Sequence, residues 1–199
     1  MMQVIGLCRF SYPAHGGFQV EHQSSEDRMA YLWQEDRLEE RFRLMETVSL
    51  PSLRAQSDQD FDLMILIADT FPKKHVERLH DLVSDIKQIE IIAQPPRNNR
   101  EVTKELLNLA RRDRSKPCLQ FRHDDDDAVA LTFVEDFKRA AADCRPLLER
   151  NKFVAINYAR GYVVRPSREG LLSEPAFHPF WGVALGASVA PHIRKTVMN

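Results

Sequence analysis

Phe61-Asp62-Leu63-Met64-Ile65-Leu66-Ile67-Ala68, with Asp69 directly after it, is the clearest buried-strand pattern in the chain. A short, continuous apolar run bounded by polar residues is what a strand covered on both faces requires. Upstream, Asp36–Val48 reads as a helix. Leu38, Phe42 and Met45 fall on one face, Arg37, Glu40 and Arg41 cover the other, and Pro51 is expected to end it. Gln3–Arg9 is a second buried-strand candidate. The polar stretch after it carries Pro13 and the pair Gly16-Gly17, and is long for a structureless loop, a length usually tied to function or disorder.

Downstream, Pro72 opens a helix to Ser84, a favoured place for proline. Ile89–Ala93 is an apolar run closed by Pro95-Pro96. Arg100–Arg111 reads as a helix with Val102, Leu106, Leu107 and Leu109 inward, and Pro117–Phe121 as a short strand. Thr132 with Glu135 forms a capping-box pattern for a helix through Phe133, Phe137 and Ala140 that breaks near Pro146. Lys152–Tyr158 and Gly161–Arg165 are strand candidates, and no element is assigned after Pro166. This alternation predicts an α/β domain with a mainly parallel sheet flanked by helices. Ligands of such sheets bind beyond the C-terminal ends of the strands. Asp69 and the run Asp124-Asp125-Asp126-Asp127 both follow apolar strands, which puts them at one edge.

The chain has 199 residues, 43% hydrophobic and 29% charged, which suits one globular domain spanning 1–199. A formal net charge of −1 excludes a general polyanion binder, so no nucleic-acid partner is expected. No apolar run reaches bilayer-spanning length, and residues 1–9 do not read as a secretory leader. Cys8, Cys118 and Cys144 are odd in number and match no zinc spacing, so they read as reduced thiols of a cytoplasmic protein.

Four adjacent carboxylates repel one another, and a cation relieves them. A solvated charge run is the competing explanation, but this run lies between a strand candidate and a helix start, with Arg122 and His123 beside it. A calcium loop starting at Asp124 fails, because its fifth and sixth positions are Ala128 and Val129 where an oxygen ligand and glycine are needed. Mn²⁺ or Mg²⁺ fits better, held by one or two carboxylates, waters and substrate phosphates. Asp124 and Asp126 alternate and can face one side of an extended turn, while Asp127 points away.

Phe121-Arg122-His123-Asp124-Asp125-Asp126-Asp127-Ala128 resembles the Arg-x-Asp-x-Asp-Asp-Ala signature of bacterial proteins labelled putative rhamnosyltransferases, glycosyltransferases of the GT-A type. Cys8-Arg9-Phe10-Ser11 resembles that family's Arg-Phe signature. Leu50-Pro51-Ser52-Leu53, Gln56 and Asp60-Phe61 resemble its Pro-Ser-Leu, Gln, Phe stretch, and the likeness covers roughly residues 5–158. The resemblance implies a GT-A-like nucleotide-diphospho-sugar transferase fold. Asp124 and Asp126 would be the metal- and donor-binding carboxylates of an Asp-x-Asp motif. Asp69 would contact the nucleobase or its ribose, unless it only initiates a turn before Phe71-Pro72. Arg9 and Arg122 would contact donor phosphate, the alternatives being a surface arginine and a structural ion pair.

The expected reaction is metal-dependent transfer of a sugar, rhamnose by the family's label, from a nucleotide-diphosphate donor to a saccharide or other hydroxyl acceptor. An inverting route needs a carboxylate base late in the chain; Glu174 is the first candidate and Glu169 the second. Phe177-His178-Pro179-Phe180-Trp181, after Glu174, could stack on a sugar, although burial in a core or edge turn is the preferred reading. The acceptor-side part is expected to be cut short at Asn199. A metal-dependent phosphohydrolase or nucleotidyltransferase, and a non-catalytic nucleotide-sugar-binding module, are the alternatives.

Overall fold

The structure, a computed structural model, describes residues 2–16, 22 and 24–198; Gly17 of the early polar stretch lies outside them. In chain order the elements begin with β1 (Gln3–Arg9), α1 (Ser25–Leu32) and α2 (Glu35–Leu44). A π-helical turn (Met45–Ser49) leads into α3 (Leu50–Arg54). There follow β2 (Asp62–Ala68), α4 (Lys73–Val83), β3 (Ile89–Gln94), α5 (Asn99–Leu109) and β4 (Cys118–Asp124). The remainder is α6 (Phe133–Asp143), α7 (Arg145–Arg150), β5 (Phe153–Ile156), β6 (Arg160–Ser167), β7 (Gly170–Phe177) and β8 (Gly186–Val189).

Six strands form one sheet in the order β3-β2-β1-β4-β8-β5. The first four are parallel, as apolar strands joined by helical crossovers should be, and β8 runs antiparallel to both β4 and β5. This mixed, mostly parallel sheet flanked by helices is GT-A-like. The β2 run is buried from Leu63 to Ala68, as its composition demands. Phe10, Phe42 and Phe71 join sheet to helices through ring contacts at 4.7 and 6.0 Å. Among the described residues, no helix is long and apolar enough to cross a membrane.

Several boundaries differ from the sequence reading. Pro51 does not end the second helix. Leu50 N–H bonds to Met45 O, five residues back, and the widened π-helical turn lets Pro51 enter the first turn of α3, where its missing N–H costs nothing. Thr132 and Glu135 do not make a capping box. Thr132 has φ −102° and ψ 10°, and its hydroxyl donates to Asp136 Oδ2 at 2.7 Å. Glu135 accepts from Ser57 at 2.9 Å, and Val134 N–H at the helix start is satisfied by Gln56 Oε1 at 3.0 Å. Leu109 is 64% exposed, because the buried arc of α5 centres on Val102, Thr103, Leu106 and Leu107. β4 extends past Phe121 to Asp124, since pairing with β1 continues that far. β6, read as one more strand, lies outside the main sheet in a hairpin with β7. The aromatic segment is not core: Phe177 and Phe180 are 64% and 78% exposed.

Candidate functional site

β1 and β4 are in register, and their last rung pairs Arg9 with Asp124. Two residues separated by more than a hundred positions thus meet at the C-terminal sheet edge because both strands are apolar and parallel. Beyond Arg9 the chain turns sharply. Ser11 takes φ 46°, uncommon for a residue with a side chain, and Trp33 Nε1 donates to its carbonyl at 3.1 Å. Tyr12 is anchored where its hydroxyl donates to Pro95 O at 2.7 Å.

Strand alternation sorts the residues that enter the acidic turn. Arg122 and Asp124 share a face and pair at 3.1 Å between Nη2 and Oδ2. His123 points the other way and is buried, with Nε2 2.8 Å from Ser49 Oγ and Nδ1 without a partner. Burial, only partly opposed by Asp124 and Asp126, lowers its pKa to about 4, so the ring is neutral at pH 7. It is a core residue.

Arg41, expected on the solvent face of its helix, reaches the acidic turn instead. Its Nε donates to Asp125 Oδ2 at 3.0 Å, its Nη2 pairs with Asp125 Oδ1, and its Nη1 lies 2.9 Å from Asp126 Oδ2. Burial works to raise the Asp126 pKa, but the bond and charge of Arg41 outweigh it and hold the carboxyl below its ordinary value. Asp127 has no such bond among the described residues. Burial, then the charges of Asp124 and Asp126, push its carboxyl up to about 7. The turn is closed by Asp127 N–H donating to Asp124 O at 3.2 Å.

Behind the turn stands a brace from α3. Ser52 Oγ accepts from Val129 N–H at 3.2 Å, and Gln56 Nε2 donates to Ala130 O at 2.8 Å. Together with the Gln56–Val134 bond, these hold residues 129–134 and so fix where the acidic turn returns to α6.

Arg9, Arg37 and Arg41 line a cavity of about 190 Å³ together with Asp124, Asp125, Asp126, Ser11, Tyr12 and Leu32. Ser11 Oγ and Arg37 Nη1 are buried with no hydrogen-bond partner. Such groups cost free energy unless a ligand or water satisfies them. Of the site residues read from sequence, the structure brings Arg9, Asp124 and Asp126 to this cavity, with Arg122 paired to Asp124. Asp69 is exposed at the same sheet edge, at the end of β2, and is not in the cavity wall. Glu174 is exposed on β7, opposite Val163, and also stands outside it. The aromatic segment lies next to Arg122, because a Cβ on Gly182 would come within 3.2 Å of the Arg122 guanidinium carbon.

Sequence reading missed Ser11, Tyr12, Arg37 and Arg41. The signal for the arginines was their four-residue spacing, which puts both on one stripe of α2. Among the described residues no three His, Cys, Asp or Glu side chains converge as a metal cage. Asp124 and Asp126 nevertheless line one cavity. Two carboxylates with water and phosphate are the ligand set a hard divalent cation commonly takes, so they fit that role.

A family model described as putative rhamnosyl transferase matches residues 3–199. No curated protein matches the chain.

Proposed function

The chain belongs to the putative rhamnosyl transferase family, and from that premise we propose that it transfers a sugar, rhamnose by the family's name, from a nucleotide-diphosphate donor to an acceptor hydroxyl. The observation that carries this reading is the convergence of Arg9, Arg37 and Arg41 with Asp124 and Asp126 on one cavity at the C-terminal sheet edge.

The arginines bind the donor diphosphate, with Arg37 Nη1 and Ser11 Oγ gaining the partners they lack. Asp124 and Asp126 would hold Mn²⁺ or Mg²⁺. A cation held there supplies neutralisation of the charge that builds on the departing diphosphate. Ligand pockets of whole small molecules run to roughly 300 Å³ and more, so the cavity takes the diphosphate region and the rest of the donor extends out of it, toward Asp69 on one side. The acceptor approaches over the exposed Phe177–Trp181 segment beside Arg122. In this reading Glu174, on the neighbouring hairpin, remains the candidate base, and it acts only if the hairpin carries it to the cavity mouth. The three free cysteines fit work in the cytoplasm.

The test is thermal unfolding with Mn²⁺ or Mg²⁺ and a panel of nucleoside diphosphates, on the parent, Asp124→Asn and Asp126→Asn. A ligand at 100 times its dissociation constant adds about 2.7 kcal/mol. Stabilisation by one diphosphate that needs the metal and disappears in both variants is the expected result. No response in the parent, with both variants as stable as it, would sink the donor site.

A further inference from the structure

Asp125 is the acidic residue that an Asp-x-Asp reading leaves without work, and its surroundings give it some. Its side chain is 5% exposed, against 42% for Asp126. Both of its oxygens are taken by one guanidinium: Arg41 Nε at 3.0 Å on Oδ2, and Arg41 Nη2 on Oδ1. A fork of two parallel N–H bonds on a carboxylate fixes the guanidinium plane as a single point charge could not. With the plane fixed, the third nitrogen, Nη1, is aimed at Asp126 Oδ2, 2.9 Å away. The side chain of Arg41 is itself only 19% exposed, so this is a held contact and not a mobile surface pair.

We propose that Arg41 is a positioning residue that stands in for the cation at Asp126: Asp125 seats it, it holds the Asp126 carboxylate while no metal is bound, and it transfers Nη1 to the donor phosphate once a metal takes Asp126. The inference rests on the donor-site reading above. The exchange is balanced, because Asp126 trades one positive partner for another while Arg41 trades a carboxylate oxygen for a phosphate oxygen. No bond other than hydrogen bonds and metal coordination changes. Arg9 and Arg37 line the same cavity, so Arg41 is one of three cations on it.

The proposal predicts effects of opposite sign from two neighbouring variants, and Arg41→Lys, which keeps the charge, separates them from a change of net charge alone. Arg41→Ala removes the competitor for Asp126, so Mn²⁺ alone should bind about five-fold tighter, the size of a partly exposed ion pair. The same variant should bind the nucleoside diphosphate in saturating Mn²⁺ at least five-fold more weakly. Asp125→Asn loosens the seat and leaves Arg41 free to close on Asp126, so Mn²⁺ alone should bind more weakly than to the parent. Titration calorimetry of the full chain with Mn²⁺, then with the diphosphate that stabilises the parent, reads all of these; circular dichroism checks that each variant is folded, and Arg41→Lys, which keeps charge but loses the fork, replaces Arg41→Ala if that variant unfolds. For Arg41→Lys the expected result is weaker diphosphate binding with Mn²⁺ binding no weaker than the parent's.

Weaker Mn²⁺ binding in both the Arg41 and the Asp125 variants would overturn the exchange while leaving the donor site standing, provided Asp124→Asn abolishes binding. Parent protein that takes up neither Mn²⁺ nor any diphosphate would overturn both.

Discussion

Ser49 Oγ lies 2.8 Å from His123 Nε2, and both residues are buried. The contact ties the π-helical turn before α3 to the strand residue that immediately precedes the acidic run. π-helical turns are uncommon and recur near functional sites; this one delivers both Ser49 and the Ser52–Gln56 brace to the back of the acidic turn.

Ser49→Ala would leave the His123 ring with no partner on either nitrogen, because Nδ1 already has none. An unsatisfied buried polar group costs about 1–3 kcal/mol. The urea midpoint should fall by that free energy divided by the slope, with the slope itself unchanged. An unaltered midpoint would mean that the hydroxyl contributes nothing to placing His123.

Gly186 of β8 lies against Phe137, whose ring carbon would sit 2.4 Å from an added Cβ. Phe137 is fully buried on α6 and stacks on Phe133 at 5.6 Å, so the ring cannot step aside. Gly186→Ala should destabilise the fold by about 1–3 kcal/mol, the usual range for overpacking. Gly161→Ala, where no atom lies within 4 Å of the added Cβ, should have little effect and serves as the control in the same denaturation experiment.

Asp127 gives the chain a pH signature. Its carboxyl moves from 3.8 to about 7 through burial and then the charges of Asp124 and Asp126. The folded state therefore holds a proton that the unfolded state has lost, and the stability this group contributes is present below about pH 4 and lost as pH rises through about 7. His123 acts with the opposite sign. Its pKa falls from 6.5 to about 4, so its contribution is present above 6.5 and lost as pH falls through about 4. The two offset each other where their windows overlap. Asp127→Asn removes one of them, and its stability relative to the parent should climb from pH 4 and level off by about pH 8. Equal pH profiles for parent and variant, from denaturant midpoints, would place an unshifted carboxyl at 127.

The sheet was legible because β1 from Val4 to Cys8 and β2 from Leu63 to Ala68 are buried on both faces and apolar without interruption; β4, interrupted by Gln120 and ending in Arg122-His123-Asp124, was legible only to Phe121. Asp124 and Asp126 were legible because four adjacent carboxylates need a reason. The two C-terminal strands were not. β7 is exposed along nearly its whole length and β8 is four small or β-branched residues, Gly186-Ala187-Ser188-Val189, so neither carries a hydrophobic period. Pro51 misled for a definite reason: a proline ends a regular α-helix, and one π-helical turn removes the conflict. The arginine side of the cavity was hidden because Arg37 and Arg41 look solvent-facing on α2 until β1 and β4 bring the acidic turn under them.

Arg37 separates stability from binding. Its Nη1 is buried with no hydrogen-bond partner, although its guanidinium carbon lies 5.4 Å from the Tyr31 ring centroid. An unpaired buried donor on a charged group opposes folding unless water or a ligand satisfies it. Arg37→Leu fills similar volume without the donor. It should leave the ligand-free urea midpoint unchanged or higher, since the unpaired donor costs about 1–3 kcal/mol. Nucleoside diphosphate binding should weaken by about tenfold or more, the worth of one hydrogen bond to a charged group. The opposite pattern, a lower midpoint with the diphosphate response intact, would make Arg37 a structural residue and remove one of the three cations from the donor site. Measuring both quantities on the same preparation decides between them, because no loss of packing at position 37 can raise the midpoint while weakening the ligand.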